Sequence, residues 1–149
     1  MSIEKILSQT SNLVLDTSVL IGYFMDENLS IIPLLDEYLF NKNSSLTLYG
    51  HNLLKSEIYY IICRMKGNNQ AKNVLNKIEN VMNIISESWL FKKVGQIKCE
   101  YPIAFSDCFS ISLGIFLNCP IFFLKERELS EDVVNKINEE FNARIYIVS

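Results

Sequence analysis

Apolar and polar positions alternate along the chain in two distinct periods. Leu13-Val14-Leu15 is a short, wholly apolar run, and the capping residues Asp16-Thr17-Ser18 follow it, so it reads as a strand that ends where a helix begins. Val19 to Phe24 then reads as a short apolar helix. Leu29 to Phe40 carries Leu29, Ile32, Leu35 and Leu39 at helical spacing, with Pro33 admissible only in the first turn. After the polar loop 41–45, Leu46 to Tyr49 reads as a second strand. His51 to Met65 is helical, with a stripe of Leu54, Ile58, Ile61, Ile62 and Met65, and Gly67 stops it. Asn69 to Glu87 reads as another helix, its apolar side formed by Ala71, Val74, Leu75, Ile78, Met82 and Ile85. Trp89 to Val94 reads as a short strand, and Ala104 to Leu117 as a helix halted by Asn118, with Pro120 beyond it. Ile121 to Leu124 is apolar on both faces, as a strand inside a parallel sheet requires. A polar amphipathic helix, Ser130 to Phe141, and a strand, Arg144 to Val148, complete the order.

Strands and helices alternate throughout. The expected fold class is therefore α/β: a single domain, 1–149, built as a three-layer sandwich around a mainly parallel sheet with right-handed crossovers. The length of 149 residues suits one core and is too short for two. An apolar fraction of 49% with 21% charged residues excludes a disordered chain, and no apolar run approaches the ~20 residues that a membrane helix needs. The first twelve residues lack the basic and apolar regions of a signal peptide, so a cytoplasmic location is expected. Cys63, Cys99, Cys108 and Cys119 form no CxxC pair and His51 is the one histidine, which argues for reduced thiols and against structural zinc. A net charge of −3 means that overall charge does not draw the chain to nucleic acid, unless bound cations invert the field locally.

Four carboxylates fit a structural role poorly when taken together. Glu57 lies three residues after Leu54 and four before Ile61, so it projects from an apolar stripe and needs a partner there. Asp16 stands at the carboxyl end of a strand, where open parallel sheets form their ligand crevice, although it is also a good N-cap. Asp107 occupies the first turn of a helix, favoured there by the dipole, yet its surroundings are apolar and no Lys or Arg lies between Glu100 and Phe123. Glu126 and Glu128 follow the strand ending at Leu124, in a turn whose charges alternate. Each acid has a bland reading as a cap, an ion pair or a solvated turn. All four point to one rim of the sheet, however, and converging carboxylates persist only with bound cations or raised pKa values. Oxygen ligands without His or Cys select hard ions, Mg²⁺ or Mn²⁺, which can activate water for phosphodiester hydrolysis.

Several segments resemble the PIN-domain family, and within it the VapC-like toxin ribonucleases of toxin–antitoxin pairs. LVLDTSVLIGYF is similar to the first strand and Asp-x-Ser/Asn motif, KSEIYYIICRMKG to the second acidic helix, and IAFSDCFSISLG to the third motif. CPIFFLKEREL aligns with the fourth, with Leu124 where the family usually has Thr and Glu126 where it has Asp. The resemblance runs from about Asn12 onward. It implies a metal-dependent endoribonuclease in which Asp16, Glu57, Asp107 and Glu126 are catalytic and hold Mg²⁺ or Mn²⁺, with Glu128 the rival fourth acid. Ser18, and Ser106 in the same way, would support the site by hydrogen bonding. The implied partners are RNA, a cognate antitoxin and a second copy of the chain. Lys55, Arg64, Lys125 and Arg127 are candidate phosphate contacts, and His51 reads as a helix-start residue rather than a base. Two other readings stay open: a PIN-like module that binds RNA or protein without efficient catalysis, and a phosphatase with Asp16 as nucleophile. The latter lacks the second Asp two residues on.

Overall fold

The computed structural model describes residues 2–149. Five strands form one sheet: β1 (Asn12–Leu15), β2 (Thr47–Gly50), β3 (Met82–Ile84), β4 (Ile121–Leu124) and β5 (Ile145–Val148). Their order is β3-β2-β1-β4-β5 and every neighbouring pair is parallel. The strands are short, and each crossover carries at least one helix. Eight α-helices flank the sheet: α1 (Ile3–Gln9), α2 (Thr17–Phe24), α3 (Ile32–Tyr38), α4 (Asn52–Lys66), α5 (Asn68–Val81), α6 (Phe91–Glu100), α7 (Phe105–Leu117) and α8 (Glu131–Phe141).

The pleat divides the core into two halves. Leu13, Leu15, Leu48 and Phe122 point to one face and are buried with Leu35 of α3, Ile58 and Ile62 of α4, and Ile78 of α5. Val14, Ile121, Phe123 and Ile145 point to the other, against Ile97 of α6, Ile111 of α7 and Ile137 of α8. This alternation gives three layers, as the element order predicts. At the β4 side, α7 packs closely because Gly114 has no side chain: a Cβ there would fall on Ile121. The same helix ends at Asn118 in the left-handed conformation (φ 50°), a conformation Asn tolerates better than most residues.

Three expectations change. The helix expected to continue to Glu87 stops at Val81, and Met82–Ile84 becomes β3, with Leu48 opposite Met82 and Tyr49 opposite Asn83. Met82 keeps its place in the core, so the helical period runs into the strand without a visible break. The segment expected as a strand from Trp89 to Val94 is the end of a 3₁₀ turn (Glu87–Trp89) and the start of α6. Trp89 and Phe91 are 70% and 65% exposed, whereas Leu90, Val94 and Ile97 are buried at helical spacing. Met65 lies outside the buried stripe of α4 and is exposed. A further element, α1, precedes those that the periodicity predicts; Ser2 caps it and it buries Ile6 and Leu7. All four cysteines are free, and among the described residues no helix is long and apolar enough to cross a membrane.

Candidate metal centre

Asp16 follows β1 directly. Its backbone N–H donates to Phe122 O of β4 (3.0 Å), so the sheet fixes where the residue leaves the strand. Its side chain caps α2, with Oδ2 accepting from Ser18 N (3.3 Å) and from Ser18 Oγ (3.0 Å). The cap and the candidate ligand are thus one residue. Ser18 Oγ also accepts from Leu124 N at the end of β4 (3.3 Å), the strand that leads to Glu126. The supporting hydrogen bonds expected of Ser18 are present. Asp107 sits in the first turn of α7 and Glu57 on α4.

One carboxylate oxygen from each of Asp16, Asp107 and Glu126 lies within 4.8 Å of the other two. Asp16 and Asp107 are buried and Glu126 is half-buried. Glu57 and Glu128 line the same cavity, of about 260 Å³, without joining that close trio. Glu126 is therefore nearer the centre than Glu57, the reverse of the weight their motifs suggest. Ser106 lines the cavity too. Lys55 pairs with Glu79 (3.5 Å), Arg64 lies over the Tyr60 ring, and Lys125 and Arg127 line an adjoining cavity of about 670 Å³ that shares Glu126.

The electrostatics follow from this geometry. Burial, with the charge of Glu126 next, raises the Asp16 carboxyl from 3.8 to about 7 against the two Ser18 hydrogen bonds. Burial and the nearby Asp16 and Glu126 charges push Asp107 up to about 9. Burial likewise raises Glu126, with Glu57 and Glu128 adding repulsion. No cationic side chain relieves the repulsion: among the described residues the only ion pairs are Lys55–Glu79 and Lys136–Asp132. The salt-bridge explanation for Glu57 is therefore not met. Thr17, beside Asp16 in the cavity wall, holds a buried hydroxyl with no hydrogen-bond partner among the described residues. An all-carboxylate donor set with an orphaned hydroxyl beside it fits a hard divalent cation and its water.

Two further buried polar residues connect to Asp16, and the sequence pattern does not mark either as a neighbour of it. Ser110 on α7 donates to Asp16 Oδ1 (3.4 Å), and His51 Nε2 lies 3.2 Å from Ser110 Oγ. A serine inside an apolar helix carries no periodic signal, and His51 is legible only as the cap that it also is, its Nδ1 accepting from Leu54 N (3.1 Å). Burial lowers the His51 pKa from 6.5 to about 4, which keeps the ring neutral.

A five-stranded parallel sheet between helical layers, carrying acids at the carboxyl ends of β1 and β4, defines a PIN-like α/β fold. Solved structures of VapBC toxin–antitoxin complexes contain chains similar to it. A chain of VapBC2 from Rickettsia felis, bound to a DNA fragment from the promoter, matches with a TM-score of 0.68 and 15% identity, over 93% of this chain and 99% of that one. A chain of VapBC-1 from nontypeable Haemophilus influenzae matches at 0.62 and 15%, over 91% and 97%. A chain of VapBC-5 from Mycobacterium tuberculosis matches at 0.61 and 11%, over 93% and 98%. At these identities the likeness is one of fold. No family model matches the sequence, and no curated protein does.

Proposed function

We propose that the chain is a metal-dependent endoribonuclease and the toxin of a toxin–antitoxin pair. The observation that carries this reading is the convergence of buried Asp16 and Asp107 with half-buried Glu126 on one cavity, with no Lys or Arg paired to them among the described residues. These three acids would hold Mg²⁺ or Mn²⁺, with Glu57 and Glu128 on the cavity wall to bind coordinated water. A cation bound there would neutralise the acids and would supply Lewis-acid activation of water and phosphate. The chain's own contribution is positional. Asp16 is held at both oxygens by Ser18 and Ser110, and Asp107 is fixed in the first turn of α7. Lys125 and Arg127, which form no ion pair among the described residues, line the adjoining cavity and would supply phosphate contacts there. Toxin–antitoxin membership is supported by the fold it shares with chains of VapBC complexes, and it brings an antitoxin and a homodimer as expected partners.

Chelator-stripped protein resupplied with Mn²⁺ is expected to cleave RNA, and Asp16→Asn or Asp107→Asn to abolish cleavage while the far-UV circular dichroism is unchanged. If both variants cut as fast as the wild type, the assignment of the acids fails. If the wild type binds Mn²⁺ and RNA without cutting, the chain is a binding module instead.

A further inference from the structure

We propose that His51 and Ser110 form a buried positioning relay that holds the Asp16 carboxylate in the orientation a metal ligand needs. The proposal rests on the metal-site reading above and extends it to two residues outside the acid cluster.

The relay has a direction, set by its hydrogen-bond partners. A backbone N–H can only donate, so the 3.1 Å contact from Leu54 N requires a lone pair on His51 Nδ1. The ring proton is then on Nε2, which donates across 3.2 Å to Ser110 Oγ. With that acceptor position taken, the serine hydroxyl proton is directed to Asp16 Oδ1 at 3.4 Å. Asp16 Oδ2 is held independently by Ser18. Both carboxylate oxygens thus accept from donors on fixed elements, which restricts rotation about the last side-chain bond.

A cap alone does not account for this arrangement. Asn, Ser or Asp would cap α4 without burying an imidazole, and His51 is fully buried. Its ring reaches from the β2–α4 junction to α7, 59 residues away, with Phe109 packed beside it (ring centroids 5.6 Å apart). Ser110 is equally buried, and its hydroxyl is engaged on both sides. Ser112, further along the same helix and also buried, has a hydroxyl with no partner among the described residues. The pattern selects the one serine that lies between His51 and Asp16.

The test uses the full chain stripped of metal with a chelator. Mn²⁺ affinity is measured by titration calorimetry for the wild type, Ser110→Ala, His51→Asn and the double variant. Asn keeps the cap on α4 and withdraws the reach to Ser110. Each single variant is expected to weaken Mn²⁺ binding about tenfold, the usual scale for residues that orient a ligand. The double variant is expected to be no weaker than the worse single one, because both interrupt one chain. A structural role alone would change melting temperature and leave Mn²⁺ affinity intact. Unchanged affinity in either single variant, or additive losses in the double, overturns the relay while leaving the metal site standing. A wild type that binds no Mn²⁺ overturns both. Independently of any variant, ¹⁵N NMR of the wild-type imidazole must show the proton on Nε2; a proton on Nδ1 refutes the direction of the relay.

Discussion

Replacing Asp107 by Asn is expected to stabilise the metal-free protein at alkaline pH while removing its response to metal. Asp107 is held near 9, mainly by burial and then by Asp16 and Glu126, against about 3.8 in the unfolded chain. Between those values the folded state retains a proton that the unfolded state releases, so metal-free stability falls as pH rises and the loss is complete above about 9. The slope for one such proton is ~1.4 kcal/mol per pH unit, which from pH 5 to pH 8 amounts to ~4 kcal/mol as an upper figure. Glu126 in the cluster is only half-buried, so solvent screens part of the repulsion and about half of that, ~2 kcal/mol, is expected. Asn mimics the protonated acid, can still donate to Glu126, and does not titrate. The assay is urea denaturation in chelator at the two pH values for wild type and variant. Taking the difference between the two proteins cancels other groups, notably His51, whose lowered pKa of about 4 costs stability in the opposite direction as pH falls below 6.5. Asp107→Asn should gain ~2 kcal/mol on wild type between pH 5 and pH 8. A gap that stays constant or closes with rising pH would refute the account of a buried, repulsive cluster.

Saturating wild type with Mn²⁺ at ~100 times its dissociation constant should add ~2.7 kcal/mol, or a rise of about 5–10 °C in melting temperature for a domain of this size. Asp107→Asn should show almost none of it, and an equal rise in both would place the ion elsewhere. Because Glu126 belongs to the close trio and Glu57 lines the wall, Glu126→Gln should slow RNA cleavage about a hundredfold and Glu57→Gln about tenfold. The opposite order would move the centre of the site toward α4. Gly114→Ala should destabilise by ~1–3 kcal/mol in chemical denaturation, since Ile121 must move to admit the methyl. A neutral result would mean that α7 does not sit tightly against β4.

Much of the architecture is legible in the sequence because burial leaves a period. Leu13–Leu15 and Ile121–Leu124 are apolar on both faces and become adjacent inner strands; Asn118 marks where α7 must stop. The edge strand β3 is not legible, because Met82 follows Ile78 at helical spacing and is buried whether helix or strand carries it. The start of α6 is obscured for the opposite reason: Trp89 and Phe91 are large, apolar and exposed, which imitates a strand. At the site, Asp16, Glu57, Asp107 and Glu126 stand out as charges in apolar places or at strand ends. Their ranking does not. How far Glu57 lies from Asp16 depends on how α4 packs against its neighbours, and no local pattern records that. Ser110 and His51, 59 residues apart, meet only once the chain has folded.

The Ser18 hydroxyl gives to Asp16 and receives from Leu124, and so stands at a junction between the two strands that lead to Asp16 and Glu126. The four-residue strands β1 and β4 leave little else to regulate the gap between those acids beyond the sheet's own ladder. A single oxygen thus bonds to both strand ends, so a displacement of either one strains its link to the other. Removing this hydroxyl would cut the one side-chain link between the two strand ends among the described residues and leave the backbone ladder alone to set their spacing.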